Sequence, residues 1–208
     1  MILINNVKSS AIAILTYNRG KALAALLKSI ADRGLDCDVA IFEDCGQRDT
    51  TRTSLRSAST LHRDRPDLLA EHRTMEQVRK HGKRTVDVFL GTENLGVAGN
   101  SNRAIKWFNE IGADHLLLCN DDLVAVGDFP ATYARFHEQT GVGLFCFCDF
   151  TSDEYRWQVA RVKGLRLKIL KRMTGIMMSW TRECLDKVGY FETLFKQLLN
   201  NLPSICCG

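Results

Sequence analysis

The sequence predicts an α/β domain of three layers, with helices on both faces of a mostly parallel sheet. The first observation is alternation. Short apolar runs that read as buried strands are followed by stretches of helical period. The second is size: 208 residues, 45% of them hydrophobic and 25% charged, suffice for one domain with a real core. The third is that four strand-like runs end abruptly in polar or acidic residues. In a parallel sheet joined by right-handed crossovers, those ends share one rim.

The elements follow in chain order. "SAIAILTY" (Ser10 to Tyr17) predicts a strand that stops at Asn18, Arg19 and Gly20. Leu23, Leu26, Leu27 and Ile30 share one face of a following helix, with Gly34 as its stop. "CDVAIFED" predicts a second strand, ending in Glu43 and Asp44. The segment Thr50 to Arg84 is rich in Arg and His, and Leu68, Leu69, Met75 and Val78 there are spaced as in helices. "TVDVFLG" predicts another strand, running out into "GTENLG". "VAGNSNRAIKWFNEIG" predicts a helix with Ile105, Phe108 and Ile111 inward and Gly112 as C-cap. "HLLLC" predicts a buried strand from His115, followed at once by Asn120, Asp121 and Asp122.

Beyond Asp128, Phe129 to Thr140 predicts a helix closed by Gly141, and "GLFCFCDF" a strand. "RWQVARVKGLRLKILKR" holds seven Lys and Arg residues, partly alternating with apolar ones. It predicts an edge strand or hairpin with one wet face, the alternative being a surface for phosphates or lipid head groups. "TGIMMSWT" predicts a strand and "RECLDKVGYF" a short helix and turn.

Several chemistries are excluded. There is no G-x-x-x-x-G-K-S/T phosphate loop and no G-x-S-x-G. "NLGVAGNSN" has glycines only at 96 and 99, so the dinucleotide fingerprint G-x-G-x-x-G fails. The eight cysteines form no C-x-x-C pair, and the histidines at 62, 72, 81, 115 and 137 lack metal-ligand spacing, so reduced thiols and no zinc are expected. The net charge of +4, with no recognition module, argues against a nucleic-acid partner. No stretch reaches the ~20 apolar residues of a membrane span. The opening residues lack the marks of a signal peptide, so a cytoplasmic location is expected.

The rim is where chemistry is expected. Thr16 to Arg19, Glu43 and Asp44, "GTENLG", and Asn120 to Asp122 meet there. Two adjacent carboxylates at the end of a buried strand repel each other and are costly to desolvate. A divalent cation with hard oxygen ligands, Mg²⁺ or Mn²⁺, removes that conflict.

"AIAILTYNR", "AIFEDCGQRDTT", "ENLGVAGNSNRAI", "HLLLCNDDL" and "TGIMMSWTRECLDKVGYF" stand in the order and approximate spacing of family 2-like glycosyltransferases. The chain resembles that family over roughly Ser10 to Glu192. The resemblance implies a Rossmann-like GT-A (nucleotide-diphospho-sugar transferase) fold over residues 8–192, with 193–208 as an atypical tail. It implies a nucleotide-sugar donor, UDP-linked in many members, with Mg²⁺ or Mn²⁺, and an inverting, metal-assisted transfer to an acceptor hydroxyl, as in polysaccharide biosynthesis. Thr16, Tyr17 and Asn18, with Arg19 beside them, would line the base pocket, and Glu43 or Asp44 would accept a hydrogen bond from the base. The family's D-D-x-S-x-D is here Glu43, Asp44, Cys45, Gly46, Gln47, Arg48 and Asp49, which leaves open which acid does so. Asn94, Gly96, Gly99 and Asn102 match the loop and helix start beside the nucleotide.

"NDD" matches the family's D-x-D position. Asp122 would hold the metal, and Asp121 or Asn120 would reach the ribose or the metal's water shell. Thr174 and Gly175 match the strand near the acceptor pocket. Trp180 either stacks on a sugar or fills core, and core is the expectation. The acceptor would be a glycan, a lipid-linked molecule or a protein, with peripheral contact at the inner face of a membrane.

The resemblance also implies a catalytic base in an acidic motif shortly after "VGYFE". Residues 193–208, "TLFKQLLNNLPSICCG", contain no acid. That tail reads either as the truncated or frame-shifted end of a longer enzyme or as a natural short variant. Asp149, Asp153 and Glu154 are base candidates without a motif. The alternative function is therefore a nucleotide-sugar-binding pseudoenzyme or donor-binding module. A sugar nucleotidyltransferase would need a Gly-rich basic loop after the first strand, and "TYNRGKALAALL" has only one glycine.

Overall fold

The computed structural model describes residues 9–46, 50–62, 71–79, 82–147, 158–169 and 175–193. Its strands are β1 (Ser10–Thr16), β2 (Asp38–Glu43), β3 (Ser59–His62), β4 (Glu71–Arg79), β5 (Gly82–Leu90), β6 (His115–Asn120), β7 (Leu144–Cys146), β8 (Gln158–Val162), β9 (Leu165–Ile169) and β10 (Met177–Thr181). Its helices are α1 (Gly20–Arg33), α2 (Thr50–Ala58), α3 (Gly96–Ile111), α4 (Phe129–Thr140) and α5 (Arg182–Val188). Eight strands form one sheet in the order β3-β4-β5-β2-β1-β6-β10-β7, and β8 and β9 form a separate hairpin.

The centre of the sheet, β5-β2-β1-β6, is parallel. Antiparallel pairs extend it on both sides. Successive side chains of a strand point to opposite faces, so each central strand feeds two cores. Ile12 and Ile14 join Leu23, Leu26 and Ile30 of α1 and Leu55 of α2, with Phe129 and Tyr133 of α4 packed against them. Ala11, Ala13 and Ala40 face the other way and leave room for Trp107 and Phe108 of α3. Phe42 stacks on Phe89 with ring centroids 4.8 Å apart and takes the edge of Trp107 at 6.1 Å. Each of these fully buried rings contributes about 2–3 kcal/mol of apolar burial. The result is the expected three-layer arrangement.

The helix stops read from sequence hold. Gly34, Gly112 and Gly141 close α1, α3 and α4 in the left-handed conformation. Asp128 caps α4 by accepting from the Ala131 N–H at 3.1 Å. Trp180 is 4% exposed in the core, so it fills space rather than facing a sugar. The basic segment forms the β8–β9 hairpin, with Arg161 directly opposite Arg166.

The helices expected from Met75 and Val78 are absent. Both residues lie on β4, which pairs antiparallel with β5 from Glu71↔Leu90 to Arg79↔Gly82. Two apolar residues three apart fit a helix, but long-range pairing along the whole strand overrides that local signal. Leu68, Leu69, Cys148, Asp149, Asp153, Glu154, Thr174 and residues 194–208 lie outside the described residues. No helix among the described residues is long and apolar enough to cross a membrane.

Candidate functional site

Parallel register brings the strand ends level. Leu15 pairs with Asn120, Thr16 with Glu43, and Glu43 with Leu90. Thr16, Glu43 and Leu90 thus form one row across the sheet, and Asn120 lies level with Leu15, one residue short of it. Beyond it opens a cleft of about 230 Å³, whose lining includes Thr16, Tyr17, Arg19, Asp44, Asn120 and Asp121. Six of the expected residues therefore meet at one place.

The acids after β6 carry the electrostatics. Asp121 is 2% exposed and accepts from the Thr16 hydroxyl at 2.6 Å. Burial pushes its carboxyl above the ordinary range. The Thr16 hydrogen bond and the Arg19 charge pull the other way, and Asp122 adds to the rise. Asp122 is half exposed, and the Arg19 guanidinium donates to its Oδ2 at 2.6 Å. The same Nη1 lies 3.6 Å from Asp121 Oδ1. Hydrogen bonding to Asp122, then the charge of Asp121, holds Arg19 still more firmly protonated than usual.

The acids after β2 are placed differently. Glu43 is wholly buried. It accepts from the Gly46 N–H, and Arg52 Nη1 lies 3.3 Å from its other oxygen. Burial still raises its carboxyl, against the pull of Gly46 and Arg52. Asp44 accepts from the N–H groups of Leu95 at 2.7 Å and Gly96 at 2.8 Å. These are the first donors of α3, and a carboxylate is stabilised there by otherwise unmatched N–H groups and the helix dipole. Asn94 Oδ1 also accepts from the Gly96 N–H, at 2.9 Å. Gly96 has φ +69°, a conformation that favours glycine. Asp44 thus both lines the cleft and locks the loop that forms its wall.

Asn18 turns toward Gly46. A Cβ on Gly46 would fall against Asn18 Oδ1 and 2.9 Å from Glu43 Oε1, so a larger residue there would have to displace those side chains. A Cβ on Gly99 would lie 2.7 Å from Leu95 Cβ, so Gly99 serves close loop-to-helix packing. Asn102 is not brought to the cleft. Its amide donates to Phe191 O at 2.9 Å and accepts from Phe191 N–H at 2.7 Å, tying α3 to the chain after α5.

Two residues that build the site had no local signal. Arg103 is 5% exposed and donates to Glu43 O at 3.3 Å and Phe89 O at 3.1 Å, joining the ends of β2 and β5. Burial brings its pKa down to about 10, partly offset by Asp44 and Glu43. Arg52 Nη1 also donates to Gly91 O at 2.7 Å. On sequence alone, both read as solvated helix charges.

The parallel centre with antiparallel flanks is a Rossmann-like α/β fold of the GT-A type. No family model and no curated protein matches this sequence. Solved structures do. The chain is similar to the mannosyltransferase PcManGT of Pyrobaculum calidifontis, solved in complex with GDP-Man and Mn²⁺. The TM-score is 0.60 at 16% identity, over 91% of this chain and 49% of that one. It is similar also to residues 1–349 of S. aureus TarS, with TM-score 0.58 at 16% identity over 89% of this chain and 50% of that one. The chain spans about half the length of these two structures.

Proposed function

We propose that the described residues form the donor half of a family 2-like, inverting glycosyltransferase that binds a nucleotide sugar, UDP-linked, with Mg²⁺ or Mn²⁺. The observation that carries this is the β6 acid pair beside the cleft. Asp121 is buried and oriented by Thr16, while Asp122 is half exposed and paired with the Arg19 guanidinium.

The donor set suits the cation. Among the described residues no group of three or more His, Cys, Asp or Glu could hold a metal. The pair alone offers two hard carboxylates, enough for an ion that takes its other ligands from phosphate and water. Asp122 would hold it, with Asp121 behind. When bound, such a cation stabilises charge developing on the departing nucleotide diphosphate.

The chain's own residues supply the rest. Thr16 fixes the Asp121 carboxylate, Asp44 anchors the first turn of α3 against the cleft, and Tyr17 offers an exposed ring to a base. Transfer requires a base to take the acceptor hydroxyl's proton as its oxygen attacks the anomeric carbon. The second reading is a donor-binding module without transfer activity. Calorimetry with UDP and GDP, with and without Mn²⁺, tests the shared premise. Cation-dependent nucleotide binding that Asp122→Ala abolishes is expected, and binding indifferent to that change would sink the metal assignment. Transfer or donor hydrolysis by this chain then separates enzyme from module.

A cytoplasmic location with peripheral membrane contact belongs to the same proposal. The membrane contact is supported by the like-charged pair Arg161↔Arg166 on β8–β9, since facing cations repel until an anionic surface neutralises them. Sedimentation with anionic vesicles should capture the chain, and capture unchanged in Arg161→Glu would refute the contact.

A further inference from the structure

Arg19 occupies the place a cation would take. Its Nη1 lies 2.6 Å from Asp122 Oδ2 and 3.6 Å from Asp121 Oδ1. A guanidinium does not lose its proton under these conditions, so it cannot withdraw by neutralising. Its backbone is fixed at the start of α1, where Arg19 O accepts from the Leu23 N–H at 3.0 Å. Its side chain is 55% exposed, so an exposed ion pair rather than packing holds it over Asp122. A divalent cation on oxygen ligands sits about 2.0–2.1 Å from them, so the guanidinium and the cation cannot share Asp122 Oδ2.

Arg19 must therefore leave Asp122 before that oxygen can coordinate a metal. Once released it is a tethered positive charge on the rim, still beside the cleft it lines. The anion that the proposed donor brings to that point is its diphosphate, a strong partner for a guanidinium.

We infer that Arg19 is an internal counter-ion that adds to the coupling between cation and nucleotide diphosphate. This rests on the donor-site reading above. With Arg19 in place, the cation alone has to displace it without compensation. With a diphosphate present, the displaced guanidinium gains a new partner. Each ligand therefore strengthens the other by the same factor. The cation is thereby held more weakly without a donor than with one.

Mn²⁺ titrations followed by the electron paramagnetic resonance signal of the free ion test this, without nucleotide and with UDP or GDP. Circular dichroism on each variant confirms the fold. In the wild type, nucleotide is expected to tighten Mn²⁺ binding by about tenfold or more. Arg19→Ala is expected to bind Mn²⁺ alone up to about fivefold more tightly than wild type, with a correspondingly smaller nucleotide effect. Arg19→Lys keeps the charge and should keep most of the coupling. Equal Mn²⁺ affinity in wild type and Arg19→Ala, or a lysine variant that behaves like the alanine one, would overturn the counter-ion role while leaving the donor site standing. Absence of Mn²⁺ binding in every variant and condition would overturn the donor-site reading and this inference with it.

Discussion

Two acid pairs end the strands on either side of β1 in the parallel centre, and the protein treats them in opposite ways. After β2, Glu43 and Asp44 are both enclosed, one by Arg52 and the Gly46 N–H and the other by the first amides of α3. After β6, only Asp121 is enclosed, while Asp122 is half exposed and pairs with the exposed Arg19. Identical chemistry at equivalent places thus serves different ends. A carboxylate whose acceptors are filled by its own chain builds the wall, and one left at the surface is available to a ligand.

The largest expected effect lies in the enclosed pair. Glu43→Ala leaves Arg52 facing a cavity and the Gly46 N–H without its acceptor. Breaking a buried pair from one side costs about 3 kcal/mol or more. Urea unfolding should show that loss, and a loss below about 1 kcal/mol would erase the distinction between the pairs. Next comes Asp44→Ala, which removes a charged acceptor from two N–H groups, at about 2 kcal/mol. Hydrogen exchange at Leu95 and Gly96 should accelerate together. Unchanged protection there would mean the helix start does not depend on Asp44.

Asp122→Ala should do the reverse. It removes an exposed ion pair worth at most about 1 kcal/mol, so the unfolding midpoint stays near that of the wild type while Mn²⁺ binding disappears. A variant that unfolds as easily as Glu43→Ala would show that the second pair is structural too.

The contrast also explains what the sequence could and could not announce. The rim was legible because strand ends of a parallel sheet share an edge, which placed Thr16, Asp44, Asn120 and Asp121 together before any coordinates. The α4 boundaries were legible from its stop at Gly141, and the structure adds the Asp128 cap. The division of labour between the acid pairs was not legible. It depends on Arg52, Arg103 and the Gly46 turn, and a charged helix residue carries no local mark of burial. Asn102 likewise matched a loop motif, yet its partner Phe191 lies 89 residues away. The strand β4 was hidden for the same reason, since its pairing partner rather than its own pattern decides its conformation.

The smallest effect concerns pH, and its sign separates burial from pairing. Most enclosed carboxylates with partners have lowered pKa values and strengthen the fold at neutral pH. Asp121 and Glu43 are instead raised above 3.8 and 4.5, with burial as the first cause. A raised carboxyl binds protons more readily folded than unfolded, so stability falls as pH rises through that interval. The penalty is absent below the unfolded value and complete above the folded one. Asp121→Asn keeps an oxygen for the Thr16 hydroxyl and removes the titration. Relative to wild type, its stability should therefore climb as pH rises from about 3.8 and then level off. If the difference instead runs downward, the Thr16 and Arg19 contacts outweigh burial, and Asp121 belongs with the protein's own wall rather than with the ligand's seat.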